Sequence, residues 1–494
     1  MLGLPREAAR NFLTGKNLQT RAKQFSLYIR DRWQVKPNLT LTFGGRWEYY
    51  PLPGRVGRGL ERFDIDQNIM FVCGVGSTPF NCDLPQSKKL FAPRVGIAWR
   101  VNDSFVVRSG YGITYDPFNL GRDLRGNLPT QFSNSLAVPN SRSFSTTLAQ
   151  GLPAIPVVEV AEQIVQPLGA NVATVDGNYS RGYVQSWNFT LEKRISSWLA
   201  SAGYVATRSV HQSARLEANW SDLGTGNGGR VLRQSYGRTA GTLFWGALGT
   251  PKYDALQVKI TRRSNNGHQF NVGYTWSHGR GFTDESSSAR PRAQHPLFYG
   301  KNYGDLNEDI RHNLVITNTY QLPFGRGKKF AQSGPAAAVL GGWQVNILAS
   351  IRTGRPSTAT APNGSLNSAG SSQYGDCLSP VRKIGTVEQW WDASSFADPS
   401  VAGGTPRFGT CGSNTLRGPG LLNADMGIFR KFTISERIDL QFRAEAFNIS
   451  NTPHFNNPNS NVASSGFGLV TSVQNTGREG LDQRVFRFGL RLGW

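Results

Sequence analysis

Residues 485–494 read VFRFGLRLGW, and their side chains sort into two sets. Phe486, Phe488, Leu490, Leu492 and Trp494 take every second place, with Val485, Arg487, Gly489, Arg491 and Gly493 between them. Alternate residues of an extended chain point to opposite faces, so this is a strand with one apolar face and one polar or small face. The same period recurs upstream. Leu39, Leu41, Phe43, Trp47 and Tyr49 oppose Thr40, Thr42, Arg46 and Glu48. Pro93, Val95, Ile97, Trp99 and Val101 oppose Arg94, Gly96, Ala98 and Arg100; after the Asn102-Asp103-Ser104 turn, Phe105, Val107, Tyr111, Ile113 and Tyr115 oppose Arg108, Gly110, Gly112 and Thr114. That pair is a hairpin.

Further hairpins follow. Trp187, Phe189, Leu191 and Ile195 lead through Ser196-Ser197 toward Tyr204 and Ala206. Leu256, Val258 and Ile260 join Phe270, Val272, Tyr274 and Trp276 across 264–268, where Asn266-Gly267 is a strong hairpin-turn signal. Leu314, Ile316 and Tyr320 precede Trp343, Val345, Ile347 and Ile351, and Met426 and Ile428 precede Ile438, Leu440, Phe442, Ala444 and Ala446. With an opening strand at Phe25, Leu27, Ile29, Trp33 and Val35, the total is about thirteen. Their length is roughly twice that usual in soluble proteins.

The connections alternate in length. The short set is 36–38, 102–104, 196–198, 264–268, a longer 323–341, and 434–436; the long set is 51–92, 117–182, 209–252, 279–310, 355–422 and 448–483. Outer-membrane barrels have short periplasmic turns and long extracellular loops, and about 9–11 tilted strand residues cross the bilayer core. Trp33, Trp99, Trp276, Trp343 and Trp494 stand near strand ends, where aromatic residues meet the lipid interface. The expected fold is all-β, an antiparallel transmembrane β-barrel. A secreted soluble β-protein fits less well, because nothing would cover the apolar face while the opposite face carries arginine.

Composition agrees. Of 494 residues 38% are hydrophobic and 17% charged, too ordered a mixture for a disordered chain and too polar for a helical membrane protein. The net charge of +22 comes from basic residues spread singly along the chain, with no basic arm. Such a spread suits a surface facing anionic lipopolysaccharide or a polar pore, and argues against a nucleic-acid partner. Residues 330–351 carry no charge over almost a helical membrane span, yet Pro335, Gly341-Gly342, Gln344, Asn346 and the alternation from Trp343 exclude that helix. Residues 1–17 lack the apolar core and cleavage site of a signal peptide. Cys73 with Cys82, and Cys377 with Cys411, form two local pairs in loop-like stretches. Loop-stapling disulfides are expected, which imply an oxidising compartment; four free thiols are the alternative, and sequence does not set the connectivity.

Several strands resemble one known family: RVGIAWRVNDSFVVRSGYGITYD (94–116), YDALQVKITRR (253–263), FNVGYTWSHG (270–279), DIRHNLVITNTYQLPFGRG (309–327), GGWQVNILASIRTGRP (341–356), NADMGIFRKFTISERIDLQFRAEAFNISNTPHF (423–455) and the terminal FRFGLRLGW. Together they resemble the barrel part of Oar-like TonB-dependent transporters. The resemblance implies an outer-membrane barrel of about 22 strands with an N-terminal plug, energised through TonB, ExbB and ExbD. Residues 1–494 are then expected to be the C-terminal part of that barrel domain, without its signal peptide, plug and TonB-contacting segment; the alternative is a self-closing barrel of about 12 to 14 strands. The implied function is movement of a solute, peptide or glycan across the outer membrane; the alternative is a plug-less passive porin or a surface adhesin. The terminal strand also resembles the signal read by the BAM assembly machinery, with Phe486, Phe488, Leu490, Leu492 and Trp494 as its apolar positions.

No catalytic motif stands out, and neither an enzyme activity nor a cofactor or metal is expected. Gly224-Thr225-Gly226-Asn227-Gly228-Gly229 matches a dinucleotide fingerprint but lacks βαβ surroundings, so a flexible loop tip is expected. Asp64, Asp66 and Asn68 imitate the start of a calcium loop, but Ile69 stands where glycine is needed and Val75 where glutamate is, leaving a solvated loop. His312 is expected as a polar strand-end residue, and Asp305, Glu308, Asp309 and Arg311 as a solvated charge cluster, with pairing to Arg311 or a rim cation as alternatives. The in-out alternation places Arg32, Arg46, Glu48, Arg94, Arg100, Arg108, Lys259, Arg263, Arg352, Lys431, Asp439, Arg443, Glu445, Arg487 and Arg491 on the lumen side. Arg443 is expected to ladder with Asp439 or Glu445.

Overall fold

In a computed structural model, which describes residues 7–13, 19–117, 124, 127, 129–137, 144–151, 159–263, 267–282, 292–400, 404–474 and 483–494, the period-two segments assemble into one long sheet. Its wall has thirteen strands: β1 (Phe25–Lys36), β2 (Leu39–Tyr49), β3 (Leu90–Asn102), β4 (Phe105–Tyr115), β5 (Tyr183–Ile195), β6 (Trp198–Val210), β7 (Lys252–Arg263), β8 (His268–Gly281), β9 (His312–Gln321), β10 (Trp343–Arg352), β11 (Leu421–Thr433), β12 (Asp439–Phe447) and β13 (Val485–Gly493). Each pairs antiparallel with its neighbours in sequence, so the wall is an up-and-down meander without crossovers. Among the described residues β1 and β13 are the two ends of this sheet and do not pair with each other. Two bulges, at Gln34/Lys36 and Arg100/Asn102, sit beside short turns.

Register keeps like with like. Leu490 lies opposite Phe442, which lies opposite Arg430 and leads on to Trp343, all on one face. Arg487 lies opposite Glu445 and Arg491 opposite Gln441 on the other. A one-residue slip would exchange the faces along a whole strand, so this pattern specifies the pairing strongly. The apolar face is exposed throughout: Leu27, Ile29, Trp99, Phe189, Ile260, Ile347, Ile428, Phe488 and Leu490 are all accessible. No helix among the described residues is long and apolar enough to cross a membrane; 330–351 instead contains a short helix and all of β10 but its last residue. The Ser264–Asn266 part of the expected Asn-Gly turn lies outside the described residues, and Gly267 has φ +79°, a conformation that suits glycine.

The buried cores lie elsewhere, in the long connections. Leu60, Leu84, Val175, Tyr179 and Trp245 form one, and Phe63, Met70, Val72, Ile164 and Val172 a second. Trp390, Trp391, Phe396, Leu416, Phe467 and Val470 form a third, while Ala293, Leu366, Tyr374 and Phe408 form a fourth. Each core draws on at least two different connections, so together these segments form a folded cap over one end of the wall. Within it runs α1 (Val231–Tyr236); at the opposite end, in the long turn between β9 and β10, lies α2 (Gly334–Leu340).

Candidate functional site

The cap and the wall beneath it are the candidate site. Disulfides Cys73–Cys82 and Cys377–Cys411 close loops inside the cap. Its two halves meet through 211–251. Trp245 from this stretch enters the first core, while Leu223 packs on the fourth. Glu217, almost fully buried, accepts from the backbone N–H of Asn219 at 3.0 Å and Thr242 at 2.7 Å, and its own N–H donates to Gln294 Oε1 at 2.8 Å. Nearby, fully buried Arg238 donates to Ala170 O at 2.6 Å and lies 4.8 Å over the Phe63 ring. Burial, partly offset by Glu217, brings its guanidinium down to about 10. Burial likewise pushes the Tyr374 hydroxyl up to about 12.

The glycine fingerprint is part of this join and corrects the expectation of a flexible tip. Gly224 and Gly226 donate to the carbonyls of Leu366 and Asn367, and Asn367 Nδ2 returns a bond to Gly224 O at 2.7 Å. The aspartate-rich stretch is a solvated turn, as expected, with Asp66 and Gln67 exposed. It turns the Glu61–Asp64/Ile69–Val72 hairpin, with Asp64 Oδ1 accepting from the N–H groups of Asp66 and Gln67 and Asn68 buried at φ 54°. Among the described residues no cluster has the donors to hold a metal ion.

At the mouth of the wall, the acidic cluster is a half-buried network where solvated charges were expected. Asp305 accepts from Arg311 at 2.9 Å and Arg417 at 2.6 Å, and hydrogen-bonds His278 at 2.9 Å. The Asp309 side chain is fully buried; it accepts from Arg311 Nε at 2.9 Å, from Arg417, and from the Gly279 N–H at 2.6 Å. Glu308 stays exposed. Burial raises the Asp305 carboxyl, but hydrogen bonds from His278, Arg311 and Arg417 outweigh it and hold the group below its ordinary range. Arg417 ties this network to the third core, because its carbonyl accepts both the Trp390 and Trp391 indole N–H groups at 3.0 Å. His312 opens β9, exposed, 2.8 Å from the Tyr274 hydroxyl.

The basic set lies on the wall face opposite the apolar one. Arg46 pairs with Glu48 at 2.6 Å and Arg108 with Glu192 at 3.1 Å; Arg352 donates to Gln474 at 3.1 Å. Arg443 does not follow the expected ladder. It donates to Gln441 Oε1 at 2.8 Å and lies over Phe429, while Asp439 pairs with Lys431 at 3.3 Å. Gln441 and Glu445 flank Arg443 at equal spacing on the same strand face, and the guanidinium turns to Gln441, while Lys431, one strand across from Gln441, takes Asp439. Arg487, Arg32, Arg100 and Arg491 are all exposed, and Arg487 lies over the Phe447 ring at 5.3 Å. Lys259 and Arg263 fall on β7 beside Gly273 and Gln269.

Two hollows accompany this face. One of about 450 Å³ lies where Gly44, Gly45 and Gly96 leave the wall bare, bordered by Arg30, Arg46 and Arg94 together with Ile29 and Val95. A second, about 570 Å³, lies at the cap end, between Gln86, Lys89, Tyr115, Tyr179, Arg181 and Tyr183. The second was not legible in the sequence, because Arg181 is held there by distant groups: it donates to Pro117 O at 2.6 Å and Tyr50 O at 2.5 Å and lies 5.6 Å over the Tyr50 ring.

Residues 1–484 match the family model described as outer membrane beta barrel domain. Similar solved structures include the ferripyoverdine receptor of Pseudomonas aeruginosa (11% identity, TM-score 0.44, 96% of this chain and 39% of that one). Others are the FrpB iron transporter of Neisseria meningitidis (9%, 0.44, 95% and 46%) and the outer-membrane transporter YddB of Escherichia coli (9%, 0.47, 96% and 54%). The chain thus spans between 39% and 54% of the length of these three. No curated protein sequence matches it.

Proposed function

The chain belongs to the outer membrane β-barrel family and so resides in the cell outer membrane, and on that premise we propose that it is the barrel portion of an Oar-like TonB-dependent transporter. In this reading 1–494 forms part of the wall of a barrel of about 22 strands, and it moves a solute, peptide or glycan inward or outward under TonB, ExbB and ExbD. The observation that carries the proposal is the meander that has, among the described residues, thirteen strands and two open edges, together with a folded cap. Unpaired backbone at a sheet edge costs several kcal/mol per group in lipid, so both edges call for further strands. The sequence resemblance supplies the Oar-like subtype, and the plug and TonB-contacting segment are assigned to the rest of the gene product.

Site roles follow from the same reading. Phe486, Phe488, Leu490, Leu492 and Trp494 serve as the strand presented to BAM; Arg46, Arg94, Arg100, Arg108, Arg352, Arg443, Arg487 and Arg491 line the lumen as wall ladders and plug contacts, with a preference for anionic solutes as the alternative role; the two disulfides brace the loops that meet lipopolysaccharide and solute. The test is reconstitution of the complete gene product in planar bilayers, with uptake assayed in cells with and without TonB. Uptake that stops without TonB, through a channel silent by itself, is the expected result. A steady conductance with TonB-independent uptake would establish the porin reading instead, and a cation-selective reversal potential would overturn the anionic preference.

A further inference from the structure

The turn between β9 and β10, 322–342, is the one long member of the short set, and its helix α2 reads GPAAAVL. Every residue is apolar or glycine, and none is buried. Val339 is 63% exposed, Leu340 47% and Phe330 48%. A helix of this length is unstable alone in water, so what holds it matters.

The restraints come from the apolar face of the wall. Trp343 Nε1 donates to Val339 O at 3.0 Å, and Arg430 donates to Val339 O at 2.8 Å and to Ala338 O. Those carbonyls close the C-terminal end of α2, where backbone acceptors lack helical partners and a cation is favoured. Trp343 and Arg430 lie opposite each other in register, and the guanidinium stands 5.3 Å over the Trp343 ring and 4.3 Å over Phe432; Phe442 meets Trp343 edge-on at 6.1 Å. An arginine on a lipid-facing surface is costly at the membrane midplane and nearly free at its edge. Here its charge is engaged by carbonyls and aromatic rings. The stem is closed by Gly325 and Gly341, whose backbones approach so closely that a Cβ on either would lie under 3 Å from the other's Cα.

Basic groups flank the helix. Arg326 and Lys329 are exposed, Lys329 lies 5.3 Å over Phe330, and Lys328 reaches Gln321 at 3.2 Å. We propose that α2 is a membrane foot: it lies in the plane of the periplasmic leaflet, inserts Val339, Leu340 and Phe330 among the acyl chains, and holds an anionic phospholipid headgroup with Arg326, Lys328 and Lys329. Two observations select lipid as the occupant. The exposed side chains continue the lipid-facing band of the wall through Trp343 and Phe432, and the charges beside them complement phosphate.

The test uses the complete gene product in vesicles of phosphatidylethanolamine and phosphatidylglycerol, spin-labelled at Leu340→Cys and, independently, at Val339→Cys. References are Ile347→Cys on the lipid face and Glu388→Cys on the cap surface. The expected result is that both α2 labels respond to dissolved oxygen over a water-soluble nickel chelate, as Ile347→Cys does. Behaviour like Glu388→Cys, or shielding from both relaxants as under a protein partner, would overturn the membrane foot. For the headgroup, R326Q/K328Q/K329Q is compared with the parent by native mass spectrometry; bound phosphatidylglycerol should fall at least about fivefold. Unchanged retention would remove the basic triad from the proposal.

Discussion

Wall and cap are built on opposite plans. Wall strands turn their large apolar side chains outward, and of their residues only Leu90, Ala92, Ala206, Ala255 and Ala446 are buried hydrophobics. The cap turns Trp245, Trp391, Phe63, Met70 and Leu416 inward, as a water-soluble domain does. Two solvents explain the difference. Hydrocarbon covers the wall's apolar face, so its stability rests on the hydrogen-bonded ladder, whereas the cap stands in water and depends on the hydrophobic effect.

The comparison is broken most sharply in the cap. Trp391→Ala removes a side chain that is 1% exposed and should cost the cap about 3–5 kcal/mol. Limited proteolysis would then cut 353–420 rapidly, while heat-modifiable gel mobility would report an unchanged wall. Next in size, replacing Cys377 and Cys411 by serine releases a 34-residue separation and should weaken the same half by about 2–4 kcal/mol; protease half-life under non-reducing conditions measures it. On the wall, Ile347→Arg places a charge near the middle of β10 on the lipid face, with an expected loss of about 2–4 kcal/mol in the unfolding free energy of the bilayer-inserted protein. Its mirror, Ile428→Ala, should cost less than about 1 kcal/mol, since acyl chains fill the space that a core would leave as a cavity.

Acid should also separate the two regions. Asp305 and Asp376 have depressed folded-state pKa values, held by His278, Arg311 and Arg417 and by Arg407 with the Thr410 N–H. Their contribution is complete above the ordinary carboxylate range and disappears as pH falls through that range toward the depressed values. Protease resistance of the cap should therefore decline on acidification below that range, with wall mobility on gels unaffected. Asp305→Asn should flatten the decline.

Most of the wall was legible in the sequence, and little of the cap. Phe486 to Trp494 announce a strand because period two is a local property, and the same rule found β1 to β13. Nothing local marks Arg417 as the partner of Asp305, 112 residues away, or Asn367 as the clasp on Gly224, 143 away. The glycines of 224–229 looked pliable because their restraint is supplied by another loop. The charges at 305–311 looked solvated because the buried Asp309 owes its burial to Arg417 and the neighbouring strands. Arg430 shows the same limit on the wall: it stands on the apolar face, and only the structure revealed the helix that takes up its charge.

The bond from Gly226 to Asn367, with the neighbouring Gly226–Ser368 bridge, has a bearing on the order of events during biogenesis. β7, β8, β9 and β10 separate the two stretches along the chain. However the strands enter the bilayer, the Gly224–Gly226 turn has no mate until β10 has crossed, and pairing over such a separation is slow. The outer surface therefore matures last, and the species open to a surface protease is a finished wall with an unclasped top.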